Sequence, residues 1–142
     1  MNTPISALLG RKGSALHSVT PSMTVAEAVA EMNRNRVGAV VVLDGGKLAG
    51  IFTERDVLRR VVGAGVDPNT TSVAAVMTGN VLTVSPETTV DQAIEIFTEK
   101  RCRHLPVMAD GRLIGLVSIG DTTRCMASSS SPVPWYSANR PR

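Results

Sequence analysis

The sequence predicts a mixed α/β (α+β) protein made of two β-α-β-β-α repeats, packed sheet to sheet about a pseudo-two-fold axis. Three observations predict this architecture. The chain repeats itself without a gap, both copies carry the same helix-start signal, and each copy has two short apolar segments separated by a glycine turn. With 142 residues, the chain has room for one compact domain or for two small ones that share a core.

The internal repeat aligns residues 19–62 with residues 84–127 at an offset of 65. Upstream, PISALL (Pro4–Leu9) resembles SVAAVM (Ser72–Met77) at an offset of 68. A unit of this size buries too little apolar surface to be more than marginally stable by itself. We therefore expect the two copies to bury a shared core, which leaves two equivalent clefts between them.

The domain boundaries follow from the repeat. We assign the first repeat to residues 3–64, a linker to residues 65–72 and the second repeat to residues 73–127. Residues 128–142 are rich in Ser and Pro and show no period. We expect this segment to be a disordered tail.

The first helix of each copy is predicted by a capping box, Thr24-x-x-Glu27 and Thr89-x-x-Gln92. The apolar residues that follow recur at i, i+3, i+4 and i+7, so each helix presents one face to a core. They are Val25, Ala28, Val29 and Met32 in the first copy and Val90, Ala93, Ile94 and Phe97 in the second.

Two apolar strands follow each of these helices. The first copy has GAVVVL (38–43) and LAGIFT (48–53) around the turn DGGK, and the second has HLPVMA (104–109) and LIGLVS (113–118) around ADGR. Glycine turns between such segments predict hairpins. Strands that are apolar throughout need cover on both faces, which the helices and the other repeat would supply.

The last strand of each copy ends in the motif Gly-x-x-[Thr/Ser]-x-x-Asp, written GIFTERD (Gly50–Asp56) and GLVSIGD (Gly115–Asp121). One interpretation is a helix start, in which the hydroxyl caps the helix and the carboxylate lies at its positive end. The other is a site for a nucleoside phosphate. Free N–H groups at a helix start bind phosphate, a carboxylate there accepts ribose hydroxyls, and the glycine leaves room for a flat base.

Composition limits the other classes of function. Aromatic residues make up only 3% of the chain, which argues against nucleic-acid binding by base stacking. The net charge of +3 is spread over short clusters, and this suits small anionic ligands as well as polymers. The two cysteines form no CxxC pair, so no metal site is indicated. We find no phosphate-binding loop, metal cluster or nucleophile–base pair, and we expect no catalytic residues and no enzymatic activity.

The apolar runs are far shorter than the ~18 residues of a membrane span. The first residues also have the wrong order and length for a signal peptide. We therefore expect a cytoplasmic protein that does not bind membranes.

Together and in register, these features resemble a tandem pair of cystathionine β-synthase (CBS) domains, known as a Bateman module. The resemblance covers about residues 3–127. It rests on the β-α-β-β-α repeat, the RHLPV-type strand, the DG turn and the Gly-x-x-[Thr/Ser]-x-x-Asp motif, all present in register. The chain most resembles the small stand-alone two-repeat proteins of bacteria and plants.

The resemblance implies binding of an adenosine ligand, namely AMP, ADP or ATP, with S-adenosylmethionine and NAD as alternatives and no cofactor required. Asp56 and Asp121 would hold ribose hydroxyls, and Thr53 and Ser118 would contact ribose or phosphate. The adenine would lie against the strand residues 37–40 or 104–106, and residues around Leu16 and Val81 would close the other side. We assign to the favoured site Val81, Arg103, His104, Leu105, Pro106, Ser118 and Asp121, and to the second site Leu16, Val37, Gly38, Ala39, Val40, Thr53, Arg55 and Asp56.

The second copy is favoured because Arg103 and His104 fall where the family often places basic residues that bind phosphate. The guanidinium of an arginine pairs well with phosphate. The first copy has Gly38 and Ala39 at these positions. A phosphate there would need Arg55, Arg36 or a residue of the other copy.

The resemblance also implies a homodimer, packed through helices into a disc, and an unidentified regulated protein that responds to ligand-dependent conformational change. Thr122, Thr123 and Met126 stand where the first copy has Val57, Leu58 and Val61. This weaker apolar stripe leaves the geometry of the dimer open.

The alternative function is a structural or protein-interaction dimer whose ligand sites are vestigial. Arg101 and Arg103 flank Cys102 in the sequence. Positive neighbours would lower the pKa of this thiol and make the dimer redox-sensitive. Burial of Cys102 in the interface between the repeats is the other expectation, and the one that we favour.

Overall fold

The computed structural model describes residues 3–12 and 16–129 of the chain. Each repeat has the predicted order of a short strand or bridge, a helix, a hairpin and a closing helix. The helices and strands are α1 (Ile5–Lys12), β1 (Ser18–Val19), α2 (Val25–Asn35), β2 (Ala39–Asp44), β3 (Lys47–Thr53), α3 (Glu54–Asp56), α4 (Val73–Val76), α5 (Val90–Lys100), β4 (His104–Ala109), β5 (Arg112–Ser118) and α6 (Ile119–Ser129).

The closing helix differs between the repeats. After α3 the first repeat continues as a π-helical segment, Val57–Val62, whereas the second has the regular α6. In this π segment the N–H of Gly63 donates to the carbonyl of Leu58, five residues earlier, at 2.9 Å. Such wide turns inside helices occur frequently at functional sites.

Both predicted capping boxes are present. The hydroxyl of Thr24 accepts the N–H of Glu27 at 3.1 Å, and the Glu27 carboxylate accepts the N–H of Thr24 at 2.9 Å. Thr89 and Gln92 make the same pair of bonds at 3.2 and 2.9 Å. The predicted starts of α2 and α5 are therefore confirmed.

Both predicted hairpins are present, and residues with positive φ, mostly glycines, form their turns. β2 and β3 pair antiparallel and are joined through Gly45 and Gly46, which have φ of 58° and 84°. β4 and β5 pair in the same way through Asp110 and Gly111, with φ of 51° and 76°. Two consecutive residues with positive φ form a type I′ turn, whose twist matches that of the strands.

The sheets differ slightly in their first strand. β1 pairs in parallel with β2, whereas the second repeat has only a single parallel bridge there, from Val84 to Val107. The apolar interior of each repeat lies between its sheet and its helices. β3 and β5 are in contact, so the two sheets meet.

The leading helices are exchanged between the repeats. Ile5 and Leu8 of α1 lie in the core of the second repeat, beside Val90 and Phe97. The four-residue helix α4 contributes buried side chains to the core of the first repeat. Backbone bonds hold both helices in place, and an example is the N–H of Ile5, which donates to the carbonyl of Thr88 at 2.8 Å. The repeats therefore form one interlocked unit.

The helix α6 extends to Ser129. The rest of the predicted tail, residues 130–142, lies outside the described residues.

Candidate functional site

The Gly-x-x-[Thr/Ser]-x-x-Asp motif of the first repeat forms the start of α3. Asp56 is only 6% exposed. One oxygen of its carboxylate accepts the N–H of Thr53 at 3.0 Å, and the Asp56 N–H donates to the Thr53 hydroxyl at 3.2 Å. The other oxygen accepts the hydroxyl of Thr78 at 3.1 Å and lies 3.8 Å from Nε of Arg60. The helix-start interpretation is therefore correct, and a cross-repeat contact is added to it.

The second motif makes the same cap with different neighbours. Asp121 is 5% exposed, and it accepts the N–H of Ser118 at 2.8 Å. Its other oxygen pairs with the guanidinium of Arg124. Arg124 corresponds in the repeat to Arg59, which lines a cleft instead. The two carboxylates therefore have different cationic partners.

The motif glycines have a different role from the one predicted. A Cβ atom at Gly50 would lie 2.4 Å from the carbonyl oxygen of Thr78, and one at Gly115 would lie 2.5 Å from the side chain of Leu9. The prediction that each glycine leaves room for a flat base was wrong. The space beside it is filled by the segment that follows the exchanged helix α4, or by the exchanged helix α1 itself.

A cleft of about 870 Å³ lies between the first motif and the second repeat. Its size is within the range of sites for nucleotide-sized ligands. One wall comes from α3 and the π segment, the other from the end of α5 and the start of β4, and residues 78–82 join them. The lining residues are Gly38, Ile51, Thr53, Glu54, Arg55, Asp56, Leu58, Arg59, Arg60, Thr78, Asn80, Val81, Leu82, Lys100, Arg101, Cys102, Arg103, His104 and Leu105.

This cleft combines residues from both predicted sites. From the favoured site it contains Val81, Arg103, His104 and Leu105, and from the second site Gly38, Thr53, Arg55 and Asp56. The residues that do not line it are Pro106, Ser118 and Asp121 of the favoured site and Leu16, Val37, Ala39 and Val40 of the second.

The phosphate-binding candidates are thus brought next to the first motif. Arg103 still adjoins the second motif through its carbonyl, which accepts the N–H of Ile119 at 3.0 Å. Arg103 nevertheless lines the same cleft as Thr53 and Asp56. A phosphate at the first motif was expected to need Arg55, Arg36 or a basic residue of the other copy, and the cleft contains Arg55 together with basic residues of the other copy. Arg36, the other candidate, does not line it.

Several cationic residues of the cleft were not among the predicted site residues. They are Arg59, Arg60, Lys100 and Arg101. With Arg55 and Arg103 they give six cationic side chains against two carboxylates, so the cleft attracts anions. The signal that could have found them was the pair of clusters RDVLRR and KRCR, one in each repeat.

Cys102 also lines the cleft, and its core-facing position does not suit a reactive thiol. Burial raises the pKa of the Cys102 thiol above its ordinary value, against a smaller lowering by a backbone hydrogen bond. The redox-sensitive alternative predicted that the charges of Arg101 and Arg103 lower this pKa, and that prediction was wrong. Burial, the fate that the sequence favoured for Cys102, raises the pKa instead.

Among residues 3–12 and 16–129 there is no group of three His, Cys, Asp or Glu side chains placed to hold a metal ion. Within the same ranges, no helix has the length and apolar character needed to cross a membrane.

Two repeats that exchange their leading helices and share a cleft define a module of two paired domains. The sequence profile of the CBS domain matches residues 13–63 and 73–128. The chain therefore belongs to the CBS-domain family. This confirms the predicted resemblance to a tandem pair of CBS domains and the predicted fold class. Domains of this family are in general regulatory and not catalytic.

Known relatives agree with this assignment. The mitochondrial CBS domain-containing protein CBSX3 of Arabidopsis thaliana is 40% identical over 134 residues, which cover 88% of this chain and 65% of that protein. The CBS-domain containing protein ATU1752 from Agrobacterium tumefaciens has a crystal structure with 42% identity and a TM-score of 0.83. The match covers 87% of this chain and 99% of that one.

A third relative has a bound nucleotide. The CBS domain protein PAE2072 from Pyrobaculum aerophilum, complexed with AMP, is 27% identical with a TM-score of 0.74. The match covers 83% of this chain and 88% of that one.

Proposed function

We propose that this CBS-domain pair senses an adenine nucleotide, which binds in the cleft between the first motif and the start of β4. AMP, ADP and ATP are the expected ligands, and S-adenosylmethionine and NAD are the alternatives to test against them. The observation that carries the proposal is the meeting of Thr53 and Asp56 with the cationic wall of Lys100, Arg101 and Arg103 in one cleft.

Each part of the cleft matches a part of the nucleotide. The Asp56 carboxylate accepts the ribose hydroxyls, as acidic residues do in dinucleotide-binding folds. Arginine side chains bind the phosphates, because a guanidinium pairs with two phosphate oxygens at once. Val81 and Leu82 provide apolar surface for the base. The AMP complex of PAE2072 supports an adenosine ligand for this chain.

The geometry favours the first motif as the ribose site, whereas the sequence favoured the second. Asp56 lines the cleft and Asp121 does not, and Asp121 is paired with Arg124. Ribose binding at Asp56 competes with its contacts to Thr78 and Arg60, which belong to different repeats. A ligand that replaces these contacts changes how the repeats are held together, so it shifts the populations of two arrangements.

We further propose that the module acts as a homodimer in the cytoplasm and passes its signal to a separate protein. Such a module needs no catalytic step, no nucleic acid and no membrane. A population shift is sufficient for regulation, since the regulated protein needs only to bind one arrangement better than the other.

Thermal unfolding with and without nucleotide tests the site. Ligand at about 100 times its Kd should stabilise the protein by roughly 2.7 kcal/mol. Asp56→Asn should abolish most of the nucleotide-dependent rise in Tm, because the amide presents an N–H donor where the ribose hydroxyls need an acceptor. The ligands to compare are AMP, ADP, ATP, S-adenosylmethionine and NAD, with a short single-stranded DNA as the polymer control.

Asp121→Asn is the matched control. It alters the same capping bond in the other repeat, so it should lower the Tm of the free protein by a similar amount and keep the nucleotide response. Loss of the response in Asp121→Asn alone would show that the ligand uses the second motif. No response of the folded wild-type protein to any adenosine compound at millimolar concentration would exclude the sensor function.

A further inference from the structure

A second carboxylate lines the cleft, and the proposed ribose site does not use it. Glu54 is the first residue of α3, is exposed, and borders the cleft together with Asp56. Among residues 3–12 and 16–129 the Glu54 carboxylate has no hydrogen bond and no ion pair, although six cationic side chains line the same cleft. The carboxylate is therefore available to a ligand.

The carboxylate of Glu54 lies beside Gly38, the residue before β2. The N–H of Glu54 donates to the carbonyl of Gly38 at 2.9 Å. A Cβ atom at Gly38 would lie 3.1 Å from the carboxyl carbon of Glu54, and 3.1 and 3.3 Å from its two oxygens. The absence of a side chain at residue 38 therefore makes room for the carboxylate. Residues 37–40 are one of the two strand segments beside which the adenine was expected to lie.

The second repeat lacks this pair of residues. Arg103 and Ile119 stand at the positions that correspond to Gly38 and Glu54. The backbone bond between the two positions is kept, since the N–H of Ile119 donates to the carbonyl of Arg103 at 3.0 Å. The carboxylate and the space for it thus belong to the first repeat, which is also the repeat whose motif carboxylate, Asp56, lines the cleft.

The part of a nucleotide that suits this carboxylate is the base. A carboxylate repels phosphate, and Lys100, Arg101 and Arg103 provide cationic partners for phosphate in the same cleft. Carboxylate oxygens only accept hydrogen bonds. Adenine has an amino group at carbon 6, which donates a hydrogen bond, whereas guanine has an oxygen there, which accepts one. Hypoxanthine has the same oxygen as guanine.

We infer that Glu54 determines the base specificity of the cleft. Its carboxylate accepts a hydrogen bond from the 6-amino group of adenine and repels the 6-oxo group of guanine and hypoxanthine. Asp56 contacts the ribose, which purine ribonucleotides share, so Asp56 does not distinguish between their bases. The inference rests on the nucleotide site proposed above and specifies which bases that site accepts.

Calorimetric titration with AMP and IMP tests the inference, because the two nucleotides differ around carbon 6 of the base and share ribose and phosphate. ATP and ITP form a second pair. We expect the wild type to bind the adenine nucleotide about tenfold more tightly, which is what one hydrogen bond to a charged acceptor contributes. In Glu54→Gln the ratio of dissociation constants should fall to about two or less, because a glutamine amide both accepts and donates hydrogen bonds.

The ratio separates base recognition from general effects of charge. Removing a negative charge from the cleft raises the affinity for both nucleotides of a pair, and this gain cancels in the ratio. Glu95→Gln is the matched control, since Glu95 is an exposed glutamate on α5 that does not line the cleft, and its ratio should equal that of the wild type. Asp56→Asn should weaken both nucleotides equally and also keep the ratio.

Gly38→Ala tests the geometry without changing any charge. The added methyl group displaces the Glu54 carboxylate, so the ratio should lie between those of the wild type and Glu54→Gln. Thermal unfolding of each variant without nucleotide checks that it is folded. A ratio in Gly38→Ala equal to that of the wild type would refute the role given to the glycine.

The remaining outcomes separate this inference from the proposed function. Equal binding of AMP and IMP by the wild type, or a full preference for AMP in Glu54→Gln, would refute base recognition by Glu54 and leave the nucleotide site unaffected. A reduced ratio in Glu95→Gln would assign the effect to overall charge and would also refute it. If no purine nucleotide bound to the folded wild type, the nucleotide site itself would be refuted, and the inference with it.

Discussion

The first repeat places its motif carboxylate at a cleft lined by cations, whereas the second pairs the same carboxylate with its own Arg124. The first also ends in a π segment with exposed Leu58, whereas the second ends in a regular helix with Thr123 at that position. Outside the closing helix the order of helices and strands is the same in both copies, while the surfaces have diverged. The two repeats therefore share one arrangement of helices and strands, and a few side-chain differences give their surfaces different properties.

The two repeats should differ most in the stability that they lose when the motif glycine is replaced by alanine. In Gly50→Ala the new methyl group meets the backbone carbonyl of Thr78, which is held by reciprocal bonds to Ile51. In Gly115→Ala it meets the terminal methyl groups of Leu9, which can turn aside. We expect Gly50→Ala to cost about 3 kcal/mol of unfolding free energy and Gly115→Ala about 1 kcal/mol. Urea unfolding measures both.

The slope of the urea transition serves as the control, because it should be the same in both variants if the native and unfolded states keep their compactness. Equal losses in the two variants would mean that the backbone near Thr78 moves as easily as a side chain. The two repeats would then not differ in how tightly they pack around the motif glycines.

The elements of each repeat were predictable because their signals are local. A capping box lies within four residues, a helix face within eight, and a hairpin turn within two, so Thr24, Thr89 and the glycine turns sufficed. The repeat then supplied the architecture, since each copy supports the interpretation of the other.

The exchange of α1 and α4 was not predictable from such signals. The similarity of PISALL to SVAAVM shows that the two segments are equivalent. The apolar face of such a segment does not determine which of the two cores the segment packs into. The composition of the cleft depends on that exchange, because residues 78–82 follow α4 and reach the first motif. The close approach of Thr78 to Gly50, and the cleft that Arg103 and Asp56 both line, are consequences of long-range packing.

The capping boxes should show no difference between the repeats. Thr24→Ala and Thr89→Ala each remove a hydroxyl that accepts one helix N–H, with similar geometry in both copies. We expect each substitution to cost about 1 kcal/mol in thermal or urea unfolding. Thr→Ser at the same positions is the control, since it keeps the hydroxyl. A loss in only one repeat would show that the other helix is held mainly by its tertiary contacts.

The smallest effect is expected at Cys102, which corresponds in the repeat to Val37; both are half-buried against their cores. Cys102→Val should therefore change the unfolding free energy at pH 7 by no more than about 0.5 kcal/mol and leave nucleotide binding intact. The sign at alkaline pH follows from the raised pKa. Above the ordinary thiol pKa the unfolded chain loses a proton that the folded chain retains, so the wild type loses stability relative to the variant as pH rises. Urea unfolding from pH 7 to alkaline pH measures this.

Alkylation of Cys102 at neutral pH should likewise be slower than that of a small free thiol, and a faster reaction would support the redox-sensitive alternative again.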